Sequence, residues 1–132
     1  DKKTVITMKI LTKSNEDYLE AIVILSQKDP KVKSVEVARL LGVSKPAVNK
    51  AMNELKENLL IEKDNYGDIE LTDRGRTLGN QVYQKHLLIR SFLLKIGVSE
   101  EIADTDCCLI EHVISEETYN ALVKLMKEVL DK

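Results

Sequence analysis

Cys108, Glu111 and His112 stand at i, i+3 and i+4 in the segment CLIEHVIS. On a helix, that spacing projects a thiol, a carboxylate and an imidazole from one face. Each of the three is a ligand type for a first-row divalent metal ion. The trio also fits a plainer description, in which the cysteine packs as a small hydrophobe and the Glu-His pair lies on the surface. Two further sets of residues bear on the choice. Asp17 and Glu20 fall about one helical turn apart in SNEDYLEAI, although Asp17 could serve as a capping partner and Glu20 could be solvated. His86, one of only two histidines, sits among apolar neighbours, where a lone imidazole is more often a hydrogen-bonded core residue than a ligand. Together the six residues offer oxygen, nitrogen and sulfur donors from three predicted helices. Cys107, one residue round the helix from Cys108, points about 100° away and reads as a packing residue.

The element that organises the chain is the stretch from Ser34 to Leu60. Ser34 is placed to cap a helix with Val37, Ala38 and Leu41 on one apolar face, and Gly42 stands where that helix must stop. Ser44 caps a second helix, Pro46 lies in its first turn, and Val48, Met52 and Leu55 form its buried stripe. This is a helix-turn-helix spacing. Ser44, Lys45, Asn49, Lys50, Asn53 and Lys56 are left outward on the second helix, short polar and cationic groups suited to base edges and phosphates, and Ser44, Lys45, Pro46, Asn49 and Lys50 begin the helix where side chains would meet DNA. An αα-hairpin with a solvated polar face has the same pattern. The residues that follow favour the DNA-binding reading: LIEKDNYGDIELT predicts a β-hairpin, and a hairpin directly after a recognition helix is the winged-helix arrangement.

Around this core the spacing predicts a helix from Ser14 to Gln27, with Ser14 as cap and Tyr18, Ala21, Ile22 and Leu25 buried. Lys31 to Lys33 reads as a short extended link. Thr72 caps a long helix carrying Leu78, Val82, His86, Ile89 and Leu93, and Gly97 ends it. Ser99 caps a helix running to about Ile114, and Ser115 caps a last one bearing Leu122, Val123, Met126, Val129 and Leu130. The apolar positions Val5, Ile6, Met8, Ile10 and Leu11 have no clean period and specify no element. The expected fold is mainly α: a winged helix-turn-helix domain over residues 1–76 and a helical dimerisation domain over 77–132. Three helices with this much apolar surface call for a partner, and a homodimer is the economical solution.

Composition narrows the setting. The net charge of −2 does not advertise a nucleic-acid binder, but Lys28, Lys31, Lys33, Arg39, Lys45, Lys50 and Lys56 bunch around the expected DNA face. The two adjacent cysteines cannot staple distant parts of a fold and read as free thiols in a reducing compartment. With no membrane-length apolar run and no signal-peptide pattern, the chain is expected to be cytoplasmic, with no membrane partner. An enzyme using Cys108 as nucleophile and His112 as base would need an oxyanion-hole motif and an orienting third residue, and neither is evident.

The segments SNEDYLEAI (14–22), GVSKPAV (42–48), YGDIELTDRG (66–75) and CLIEHVIS (108–115) resemble the diphtheria-toxin-repressor family of metal-dependent transcriptional regulators, over roughly residues 14–130. The length is similar to the short manganese-transport-regulator branch. The resemblance implies a homodimeric repressor of metal-uptake genes that binds operator DNA, palindromic in keeping with its two-fold symmetry, when loaded with Mn2+ or Fe2+. Co2+, Ni2+ or Zn2+ would substitute in vitro. It further implies that Asp17, Glu20, His86, Cys108, Glu111 and His112 are the metal ligands. Cys108 matches the iron branch, whereas Asp17 matches the manganese branch, so the implied site is a mixture. Arg90 stands where the family often has a Glu of an ancillary site, and a guanidinium cannot ligate a cation. The alternative is a winged-helix regulator controlled by a small molecule or a protein partner.

Overall fold

The computed structural model describes residues 11–64 and 66–130, the last without its side chain. Residues 1–10, with all but Leu11 of the aperiodic apolar positions, lie outside the described residues, as do Asn65 of the hairpin turn and the Leu130 side chain. Two compact units divide the chain, one up to Asn80 and one from Gln81.

In the first unit, helix α1 spans Lys13–Ser26. Its cap is Thr12, whose Oγ1 accepts the Asn15 N–H at 3.1 Å, and not Ser14 as expected. Thr12 holds the extended backbone a cap requires, which puts Ser14 inside the first turn. Asp17 is therefore not a capping partner; its carboxylate pairs with Lys13 at 3.1 Å. The link after α1 is a strand, β1 (Val32–Lys33), and it leads without a break into α2 (Ser34–Leu41). Lys33 thus takes the cap position assigned to Ser34, and its own N–H donates to Glu36 Oε1 at 3.0 Å.

Gly42 ends α2 with φ of 66°, a left-handed conformation that costs glycine nothing. Ser44 then caps α3 (Lys45–Glu57) by accepting the Ala47 N–H, with Pro46 in the first turn. Strands β2 (Ile61–Lys63) and β3 (Asp68–Leu71) form the hairpin, paired Ile61 to Leu71 and Lys63 to Ile69. Val32 pairs with Ile69, so the wing is a three-stranded antiparallel sheet of order β1-β3-β2. At its tip, Asp64 Oδ1 accepts the Asp68 and Tyr66 N–H groups, and these bonds hold its carboxyl below the ordinary range. That support is present above the ordinary carboxylate pKa and is lost as pH falls through the lowered one.

The periodic stripes converge on one core. Leu19, Ile22, Val37, Val48, Met52, Leu55, Leu60 and Ile69 are all sequestered, each contributing roughly 1.5–3 kcal/mol. Helix α4 (Asp73–Lys95) is tied to this core at its first turn. Thr72 Oγ1 accepts the Gly75 N–H and donates to the Leu59 carbonyl. Gly75 lies so close to the chain after α3 that an added Cβ would stand 1.8 Å from the Leu60 oxygen.

The second unit holds the remainder of α4, then α5 (Glu100–Ile110) and α6 (Glu116–Leu130). Ser99 and Ser115 cap α5 and α6 as expected, accepting from Ile102 and Thr118. Helix α5 stops at Ile110 instead of continuing to Ile114, because the Ser115 cap needs non-helical chain before it and residues 111–113 supply the turn.

Gly75→Ala should lower stability by at least ~2 kcal/mol, since backbone and not a flexible side chain must move. Leu59, left-handed at φ 62° after α3, gives the opposite test. Leu59→Gly should add about 1 kcal/mol. Urea unfolding of both variants checks the pair.

Candidate metal centre and nucleic-acid interface

Ser44, Lys45, Pro46, Asn49 and Lys50 are all exposed on α3, while Val48, Ala51 and Met52 fix the opposite side in the core. The cap and the turn at Gly42 orient this face. Asn53 and Lys56 extend the exposed face by further turns.

The residues expected to ligate a metal fall into two groups. Asp17 and Glu20 lie one turn apart on α1, in the first unit. His86 on α4, Cys108 in the last turn of α5, Glu111 at its C-cap and His112 in the following turn belong to the second. The trio is thus not presented by one uninterrupted helix, yet Glu111 keeps helical φ and ψ of −57° and −26°, which preserves the spacing from Cys108.

Glu111 is the centre of the second group. Its side chain is 1 % exposed, and neither carboxylate oxygen has a hydrogen-bond partner among the described residues. Oε2 lies 3.6 Å from His86 Nδ1, and Oε1 lies 3.5 Å from His112 Nε2. Burying a carboxylate in this way costs several kcal/mol unless a cation compensates it. The separations exceed a hydrogen bond but suit donors around a common ion, which for metal bonds of about 2.1 Å are roughly 3–3.5 Å apart. Two imidazoles, a carboxylate and a thiol are a donor set for Fe2+, Co2+ or Zn2+, and the carboxylates of α1 are of the type Mn2+ prefers.

Cys107 is fully buried, as a packing residue should be. Its surroundings go beyond the sequence reading, because Sγ lies 3.5 Å from His86 Nδ1, nearer than Cys108 Sγ at 4.0 Å. The available signal was the i, i+4 series Ala103, Cys107, Glu111, a single buried line along α5. Burial, followed by the neighbouring Cys108, pushes the Cys107 thiol up to about 12. Arg90 bonds the Asp104 carboxylate, which raises its own pKa. Its charge is therefore satisfied within the protein.

Two family models match the chain in succession. Residues 10–69 match the iron dependent repressor N-terminal DNA binding domain, and residues 72–130 match the iron dependent repressor metal binding and dimerisation domain. These define a metal-binding transcriptional regulator with a winged-helix reading head, and the chain belongs to the iron-dependent repressor family. The transcriptional regulator MntR of Escherichia coli O157:H7 is 38 % identical over 106 residues, 80 % of this chain and 68 % of that protein. The uncharacterised HTH-type transcriptional regulator MJ0568 of Methanocaldococcus jannaschii is 30 % identical, over 92 % of this chain and 99 % of that one. The structure of the manganese regulator SloR superposes with a TM-score of 0.77 at 31 % identity, covering 86 % of this chain and 53 % of SloR. The chain thus spans about half the length of SloR. These relatives are regulators, not enzymes. No helix among the described residues is long and apolar enough to cross a membrane.

In metal-free protein at pH 8, Cys107 should react with iodoacetamide about 10³-fold more slowly than in urea, because so little of the buried thiol ionises. Mass spectrometry of the alkylated peptides measures this directly.

Proposed function

We propose that the chain is a homodimeric, metal-activated repressor that binds palindromic operator DNA and controls genes of metal-ion uptake. The observation that carries this reading is the buried, unbonded Glu111 carboxylate beside His86 and His112, in a chain that also bears a winged helix. Asp17, Glu20, His86, Cys108, Glu111 and His112 would hold the ion. The functional division is proposed at residues 76 and 77, within α4. A divalent cation, when bound, supplies the positive charge that compensates the ligand carboxylates. Donors on both domains then share one charge, which biases the protein towards one domain arrangement. In the favoured state the recognition helices of the dimer would enter successive major grooves, with Ser44, Lys45, Pro46, Asn49 and Lys50 at base edges and phosphates.

Leu109, Val113, Leu125 and Val129 are exposed on the second unit and supply apolar surface for a dimer. The dimer should persist in chelator, and sedimentation at micromolar concentration tests that. Mn2+ and Fe2+ both fit the mixed donors: the Cys108 thiolate favours Fe2+, Co2+ or Zn2+ relative to Mn2+, and the α1 carboxylates do the reverse.

The decisive experiment is anaerobic operator binding titrated with Mn2+ and Fe2+. Metal-independent binding would return the reading of a regulator controlled by a small molecule or a partner. In the metal-loaded protein, Lys50→Ala should weaken operator binding by roughly 1–3 kcal/mol, about 5- to 150-fold, if Lys50 meets a base. Cys108→Glu should retain Mn2+-dependent binding and weaken the response to Fe2+ and Co2+, as read by gel shift against each ion.

A further inference from the structure

Cys107 is the donor that the proposed repressor site leaves unused. On α5, Cys107 and Cys108 lie on either side of the direction of Glu111, about 40° and 60° from it at 100° per residue. Both thiols therefore reach the imidazole that faces Glu111. Cys107 Sγ is 3.5 Å from His86 Nδ1 and Cys108 Sγ is 4.0 Å from it. The three donor atoms lie within 4.8 Å of one another, all inside the second unit.

We propose that His86, Cys107 and Cys108 form an alternative, thiolate-rich site for soft divalent ions such as Cd2+ and Zn2+. Metal–sulfur and metal–nitrogen bonds of about 2.3 and 2.1 Å meeting at a tetrahedral angle put the two donors about 3.6 Å apart. The Cys107–His86 distance already has that value, and Cys108 needs to close by only a few tenths of an ångström. Binding replaces two S–H bonds with two S–metal bonds and releases both protons to solvent. Glu111, with Oε2 3.6 Å from the same Nδ1, is placed to complete four-coordination. The site needs nothing from Asp17 or Glu20. It shares His86, Cys108 and Glu111 with the repressor site, so a soft ion and a hard one compete for those three ligands. Selection between ions then follows from donor softness, since two thiolates draw Cd2+ or Zn2+ and leave Mn2+ to the carboxylates.

The test is titration of the full chain with Cd2+, read by thiolate-to-metal charge-transfer absorbance. With one equivalent of Cd2+, Cys107→Ser and Cys108→Ser should each lose about half the wild-type intensity, and Asp17→Asn should lose none. Equal intensity in wild type and Cys107→Ser would overturn the proposal. Should the substitution at this buried position prevent folding, the 113Cd resonance of the wild-type protein decides: a two-thiolate shift supports the site, and a one-thiolate shift overturns it. Mn2+-dependent operator binding by Cys107→Ser, measured alongside, reports on the repressor reading alone. Absence of Mn2+-dependent operator binding in the wild type would sink that reading and leave the Cd2+ result to stand by itself.

Discussion

Taking a carboxylate out of water costs several kcal/mol, and proteins that do so normally surround it with donors. Glu111 has a side chain 1 % exposed, and neither oxygen has a hydrogen-bond partner among the described residues. The groups nearest to it are imidazoles, which are neutral or cationic according to protonation, and each of which can also ligate a metal. The second unit thus contains a standing electrostatic deficit that its own side chains answer only in part. Any cation that meets it stabilises the folded second unit and not the unfolded chain. In the proposed reading, metal affinity and conformational preference share this one origin.

The first unit is built on the opposite principle, with its polar groups near the DNA face locally satisfied. Ser44 closes the start of the recognition helix, and Thr72 bonds both the Leu59 carbonyl after α3 and the start of α4. Gly75 permits a backbone approach that no other residue would allow. A reading head that neither frays nor shifts presents its exposed side chains at fixed positions, which is what base recognition requires.

Much of this was legible from spacing. The Val48, Met52 and Leu55 stripe, the left-handed Gly42 and the caps at Ser44, Thr72, Ser99 and Ser115 all follow from local chemistry that tertiary structure did not override. The errors fell at helix boundaries, at the end of α5 and at two helix starts. Thr12 and Lys33 displaced Ser14 and Ser34 as caps, because the residue that caps is the one whose backbone is extended on entry, and β1 decides that for α2. The third strand escaped notice for a related reason, since a two-residue strand has no period of its own and exists through pairing with β3. Cys108, Glu111 and His112 stood out as a trio by type and spacing, whereas His86 became a candidate ligand only through the family resemblance. Cys107 was not, because its angular distance from Cys108 conceals how close both thiols come to one imidazole on another helix.

The ion pair of Arg90 with Asp104 gives the second unit a cation of its own beside that carboxylate. A guanidinium is a cation with no free concentration: chelators cannot withdraw it, starvation cannot deplete it and a rival ion cannot displace it. The charge of Asp104 is therefore neutralised at every metal level. In a protein whose output tracks ion supply, the steepness of the dose response grows with the number of ions exchanged. At Asp104 that number is set to zero by covalent structure.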